Sequence, residues 1–270
     1  DVVIERTVEL IEFCEKERIS RGLPEIGYEV GTEETNGGLT STEIYEKFIL
    51  SLQEKLGAKG LPMPTFIVGQ TGTLVRKTEQ AGSFNFKNAL DLAEMAKKYN
   101  VGLKEHNGDY LDDVSLLEHI PSKITATNVA PQYGTEETRA YLKLAEVERK
   151  IKEYGLIEST SRLKDVLLEH SIKSERWRKW MEDDQADLTV DDIVKDEELS
   201  LEILDIAGHY TFNNEEVKKE IEVMYKNLAK VSIDGQRFVI DHIKRPIRDY
   251  AEAFNLKGST TRIIEELQLV

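Results

Sequence analysis

The sequence predicts an α/β fold with a parallel sheet, and three observations carry that reading. Four short runs begin apolar and extended and end polar: residues 26–35, 65–73, 102–110 and 124–131. Each run is followed by a helical pattern, the alternation that crossover helices impose on parallel strands. The ionisable and amide side chains gather at the carboxyl ends of the runs, above all in Lys104-Glu105-His106-Asn107-Gly108-Asp109-Tyr110, where α/β enzymes build their sites.

The elements follow in order. Ile4, Val8 and Ile11 recur at helical spacing, with Cys14 further along the same face as core packing. Asn36-Gly37-Gly38 is a turn, and Ser41-Thr42-Glu43 opens a helix with a stripe of Ile44, Phe48, Leu52 and Leu56. Pro62 and Pro64 precede the second strand. Residues 86–99 form a helix carrying Leu90, Ala93 and Ala96, and residues 114–120 a shorter one. Thr135 is expected to cap a long helix that Gly155 closes. From about Ser159 onward the pattern is helical alone: 163–181, with Trp177 and Trp180 near its end, then 216–228 and 238–254. Residues 182–198 are acidic and expected to be solvated. Their carboxylate spacing does not fit a calcium-binding loop.

The expected architecture is therefore the later half of a TIM-like (β/α)8 barrel over residues 1–158, with a helical extension over 159–270 that packs on it. Half a barrel leaves a sheet edge and an unfilled interior, which is costly. Four more units are expected before Asp1, or two chains are expected to complete one another as a homo-oligomer. The first residue being Asp rather than Met agrees with an upstream segment having been removed.

The chain has 270 residues and a formal charge of −15. That charge argues against nucleic acid and anionic membrane surfaces, both of which need a basic footprint. A phosphorylated small molecule remains allowed, because a local nest of backbone N–H groups suffices. One cysteine cannot form an internal disulfide, and no apolar run approaches a membrane span. A cytoplasmic protein is expected.

Among candidate site residues, His106 is the metal ligand expected for Zn or a similar divalent ion, with Glu33 as partner carboxylate in a metal-binding or general-base role. Glu34 stands as the alternative to Glu33. Asp109 is a second catalytic candidate, either orienting His106 or meeting substrate hydroxyls. Gln70, Asn128 and Lys104 are assigned to substrate binding. If Glu33 and His106 share one mouth, two strand spacings of about 4.8 Å separate them. Gly69-Gln70-Thr71-Gly72-Thr73 resembles a phosphate nest, but it lacks the Lys and the spacing of a P-loop, so kinase activity is not expected. A phosphate is placed instead where residues 130–134 lead into the helix at Thr135. His119, His170, His209 and His242 are read as structural.

The ordered set Tyr28-Glu29-Val30-Gly31-Thr32-Glu33, Gln70-Thr71-Gly72, Glu105-His106-Asn107-Gly108-Asp109-Tyr110, Val129-Ala130-Pro131, His209-Tyr210-Thr211-Phe212 and Val223-Met224-Tyr225-Lys226-Asn227-Leu228 resembles the class II tagatose-bisphosphate aldolase accessory-subunit family. Members of that family are also labelled tagatose-6-phosphate kinases. Ala130 and Glu34 depart from it, standing where the family usually has Gly and Val. The match covers the later part of the family and favours Glu33 over Glu34. A more distant similarity runs to metal-dependent ketose and tagaturonate 4-epimerases. The resemblance implies a carbohydrate-metabolism protein acting on a ketose or ketose phosphate such as tagatose or fructose phosphate, by metal-assisted aldol cleavage or 4-epimerisation. Its alternative implication is a non-catalytic subunit that stabilises a separate aldolase.

Overall fold

The fold was taken from a computed structural model, which describes residues 2–31, 38–181 and 185–268. The chain divides into two compact units, one of residues up to 75 with 79–129 and one of 76–78 with the residues from 130 onward. Sequence patterning put the break after 158. The structure parts the units between Val129 and Ala130 instead, because the long helix that follows buries its apolar stripe among the carboxyl-terminal helices.

In the first unit, α1 (Val2–Ser20), β1 (Glu29–Gly31), α2 (Thr42–Ala58), β2 (Phe66–Val68), the two-residue strands β3 (Val75–Arg76) and β4 (Glu79–Gln80), α3 (Phe86–Lys98), β5 (Gly102–Glu105), α4 (Asp113–His119) and β6 (Ala126–Thr127) follow in order. Four strands form one sheet in the order β1-β2-β5-β6. Every pairing is parallel, with Glu29 opposite Phe66, Ile67 opposite Leu103 and Lys104 opposite Ala126. This is the order and direction that the four runs predict. Alternation gives the sheet two faces. Val30, Ile67 and Leu103 join the helix core built by Ile4, Val8 and Ile11 of α1, Tyr45, Ile49, Leu52 and Leu56 of α2, and Leu92 and Ala96 of α3. The α2 stripe is rotated from the expected one: Ile44 is exposed, and Tyr45, Phe48, Ile49, Leu52 and Leu56 are buried. Spacings of three and four from Tyr45 make a longer continuous face than those from Ile44. Ser41, Asn85 and Asp112 cap α2, α3 and α4 through their side chains.

The second unit is helical: α5 (Pro131–Glu153), α6 (Leu163–Lys173), α7 (Val190–Lys195), α8 (Glu197–Ala207), α9 (Glu215–Ala229), α10 (Gly235–Ala253) and α11 (Ser259–Glu266). Ala140, Tyr141 and Leu144 of α5 pack with Val166 and Leu167 of α6, Leu204 of α8, Met224 and Leu228 of α9, and Val239 of α10. Three expectations are corrected here. Helix α5 starts at Pro131, whose fixed φ suits a first helical position. Thr135 is therefore inside the helix rather than its cap, and its buried hydroxyl donates to the Asp205 carbonyl at 3.1 Å. Helix α6 ends at Lys173, and Trp177 folds back to donate its indole N–H to the Ile172 carbonyl. The acidic stretch is partly built into the core: a capping box at Thr189 and Asp192 starts α7, and Ile193 is buried. Glu182, Asp183 and Asp184 lie outside the described residues.

Candidate functional site at the sheet face

In β5 the side chains alternate between buried and half-buried. Leu103 and Glu105 turn toward the helices, and Lys104 and His106 lie on the opposite face. There both meet a residue that sequence reasoning did not select, Glu29 of β1. Its carboxylate accepts an ion-paired hydrogen bond from Lys104 Nζ and lies 3.0 Å from His106 Nε2. Lys104 reaches Glu29 across the intervening β2. The side chains of Lys104, His106 and Glu29 are 14%, 25% and 34% exposed, so the cluster is sheltered yet reachable. Burial pushes the Glu29 carboxyl up, but the hydrogen bonds from Lys104 and His106 outweigh it and hold the group below its ordinary 4.5. One signal for Glu29 was present in the sequence: it opens the extended run that ends in the polar cluster at 31–34. Glu33 and Glu34 lie outside the described residues.

The other predicted residues are distributed differently. Asn128 is exposed at the carboxyl end of β6. Gln70 is buried, and its side-chain carbonyl closes its own turn by accepting the Gly72 N–H at 2.9 Å. Its backbone pairs with Thr40 in both directions. Asp109 is 3% exposed, in a turn where Asn107 and Tyr110 take positive φ. The amide of Gln80 donates to the carbonyls of Asn107 and Asp109 and holds that turn. The suggested nest at 69–73 has three of its N–H groups engaged within the protein, Gly69 on Lys104, Gln70 on Thr40 and Gly72 on Gln70. Residues 131–134 are the first turn of α5, and Gly134 packs against the His209 ring, which a Cβ would approach to 2.6 Å.

Behind the sheet face, Glu105 is fully buried. Its carboxylate accepts from the Thr71 hydroxyl, from the Thr127 hydroxyl at 3.1 Å, and lies 2.7 Å from His119 Nε2. The other nitrogen of His119 lies 2.6 Å from the Ser115 carbonyl. Both ring nitrogens therefore face oxygens, an arrangement that favours the protonated ring. Burial lowers the tendency of His119 to hold its proton, but Glu105 and the Ser115 carbonyl prevail and raise it above the ordinary 6.5. Phe84 stacks on the ring at 4.3 Å. The structural reading of His119 stands, and Glu105 belongs to this buried pair rather than to the polar face of His106.

Among the described residues, no three His, Cys, Asp or Glu side chains converge to hold a metal ion. His106 and Glu29 supply two donors, and a catalytic zinc needs three protein ligands. The described residues alone do not build the expected metal centre. Among them, no helix is long and apolar enough to cross a membrane.

No protein-family model matches the chain, and no curated protein is significantly similar to it. Solved structures share its fold. One is described as a probable tagatose 6 phosphate kinase from Sinorhizobium meliloti, with a TM-score of 0.66 and 14% identity over 84% of this chain and 62% of that one. Two are glycerol-bound structures of fructuronate-tagaturonate epimerase from Cohnella laeviribosi. One has a TM-score of 0.53 and 12% identity over 93% of this chain and 50% of that one. The other has a TM-score of 0.51 and 13% identity over 92% and 49%. The chain thus spans less than two thirds of each of these proteins. These are the two kinds of protein that the strand-end motifs resemble, and at such identities the likeness is one of fold.

Proposed function

We propose that the chain is part of a carbohydrate-metabolism barrel that binds a ketose or ketose phosphate on the sheet face of Glu29, Lys104 and His106. The observation that carries this reading is the convergence of a carboxylate, an ammonium and an imidazole on one sheltered face, with Asn128 exposed at the carboxyl end of a neighbouring strand. The four parallel βα units, polar at their carboxyl ends, support the later half of a (β/α)8 barrel as the frame.

These groups suit cleavage and re-formation of a C–C bond beside a ketone. A carboxylate takes the proton of the C4 hydroxyl, the C3–C4 bond breaks, and its electron pair moves onto the C2 carbonyl as an enediolate. The Lys104 ammonium, with His106 beside it, suits the developing negative charge. Release of the aldehyde, with the proton passed on to C3 of the enediolate, is aldol cleavage; re-addition of the aldehyde through its other face, with the proton returned to the C4 oxygen, is 4-epimerisation. Glu29 is the described carboxylate at this face, and Glu33 is proposed as a second. The burial of Asp109 favours an orienting part over a catalytic one. Glu29 and His106 are two donors for a divalent ion among the described residues, with Glu33 proposed as the third; bound there, such an ion would polarise the C2 carbonyl.

The test is calorimetric titration of the chain with fructose 6-phosphate and tagatose 6-phosphate, alongside Lys104→Met and His106→Ala. Saturable binding, lost in both variants while the fold is kept, is the expected result. Equal binding by the wild type and both variants would sink this site. Failure of the wild type to bind either sugar would favour the accessory-subunit reading.

A further inference from the structure

We infer that Glu105 is a positioning residue: its buried carboxylate gathers the loop after β2, the end of β6 and α4, and so sets where the next residue, His106, stands on the sheet face. The inference rests on the proposed site for its function, but its geometry stands alone. Thr71 comes from the loop after β2, Thr127 from the end of β6 and His119 from α4, and all three reach the one carboxylate from separate segments. The main chain around Glu105 is tied to the same segments. The Glu105 carbonyl accepts the Asn128 N–H at 3.1 Å, and Gly108 N–H donates to the Asn128 carbonyl at 3.0 Å. The Thr73 hydroxyl donates to the carbonyl of His106 itself at 2.8 Å.

Gly108 shows how closely the turn wraps this hub. A Cβ there would lie 2.2 Å from the Thr127 hydroxyl and 3.4 Å from Glu105 Oε1. Strand alternation does the rest: a Glu105 side chain held toward the helices sends His106 to the opposite face. A hydrophobic residue at 105 could fill the same volume, but it would not bind two hydroxyls and an imidazolium from three segments. Directional bonds to fixed partners hold a neighbouring ligand-facing residue within a narrow geometry in a way that packing alone does not.

The test uses the full chain with ring-labelled histidines. The variants Glu105→Gln, Thr71→Val and Thr127→Val are compared with wild type by NMR of the His106 and His119 rings. Fructose 6-phosphate binding is measured in parallel. Thr71→Val and Thr127→Val keep size and branching, so they decide the matter if Glu105→Gln does not fold. The expected result is a folded protein whose His106 ring signals move, with sugar affinity lower by about tenfold. A moved His106 signal with no sugar binding by the wild type would support the positioning role and remove the sugar reading. His106 signals unchanged in the folded variants would overturn the inference and leave Glu105 a purely structural group.

Discussion

Glu29 joins Lys104 and His106 at the sheet face, so its neutral isostere is the most informative single change. Glu29→Gln should weaken ketose phosphate binding by about tenfold or more, read by calorimetry. The sign of its pH dependence follows from its lowered carboxyl. The Glu29 pairing contributes stability above the ordinary 4.5, and that contribution is lost as pH falls through the lowered value. Wild type and Glu29→Gln should thus differ at neutral pH and converge in acid, in thermal melts from about pH 7 to about pH 3. His119 behaves oppositely because its proton is held more tightly in the fold. Its contribution is complete below 6.5 and is lost as pH rises through the raised value. His119→Ala leaves a buried carboxylate without its cation and should cost about 3–5 kcal/mol in urea unfolding near neutrality. The gap to wild type should shrink in alkali. A gap independent of pH would show that the ring acts by packing on Phe84 instead.

At the scale of elements, the turn after β5 is closely packed against β6. Gly108→Ala places a methyl against the Thr127 hydroxyl, and the strand or the turn must give. A loss of about 1–3 kcal/mol is expected from such overpacking, measured as a lower urea midpoint at unchanged slope. Within the helix layer, Leu52 is fully buried in the α2 stripe. Leu52→Ala should cost about 2–5 kcal/mol, whereas the same change at the exposed Ile44 should be nearly silent. That contrast tests the rotated stripe directly. Helix identities were legible because periodicity and caps are local: Ser41 does open α2, and α3, α4, α9 and α10 fall within a few residues of expectation. The start of α5 was misread because Thr135 has the chemistry of a cap, while Pro131 four residues earlier sets the backbone first.

For the whole molecule, the sheet ends at β1 and β6 among the described residues, and α1 exposes Val3, Leu10 and Phe13. Edge strands and exposed apolar side chains of this size favour a covering partner. Sedimentation of the chain should show a species heavier than its 30.8 kDa monomer, and a monomer at every concentration would count against the half-barrel frame. The existence, order and direction of the four strands are legible along the chain. Apolar runs with polar ends and intervening helical stripes are properties of neighbouring residues. That His106 and Lys104 share one face also follows, since alternation is a rule of the strand. Which polar side chains meet is a matter of folding in three dimensions. Glu29 and His106 are 77 residues apart, and Thr71 and Glu105 are 34 apart. Their contact depends on register between strands, which a one-residue slip would move to the other face. Register is a sum of packing over the whole sheet and leaves no mark at either residue alone.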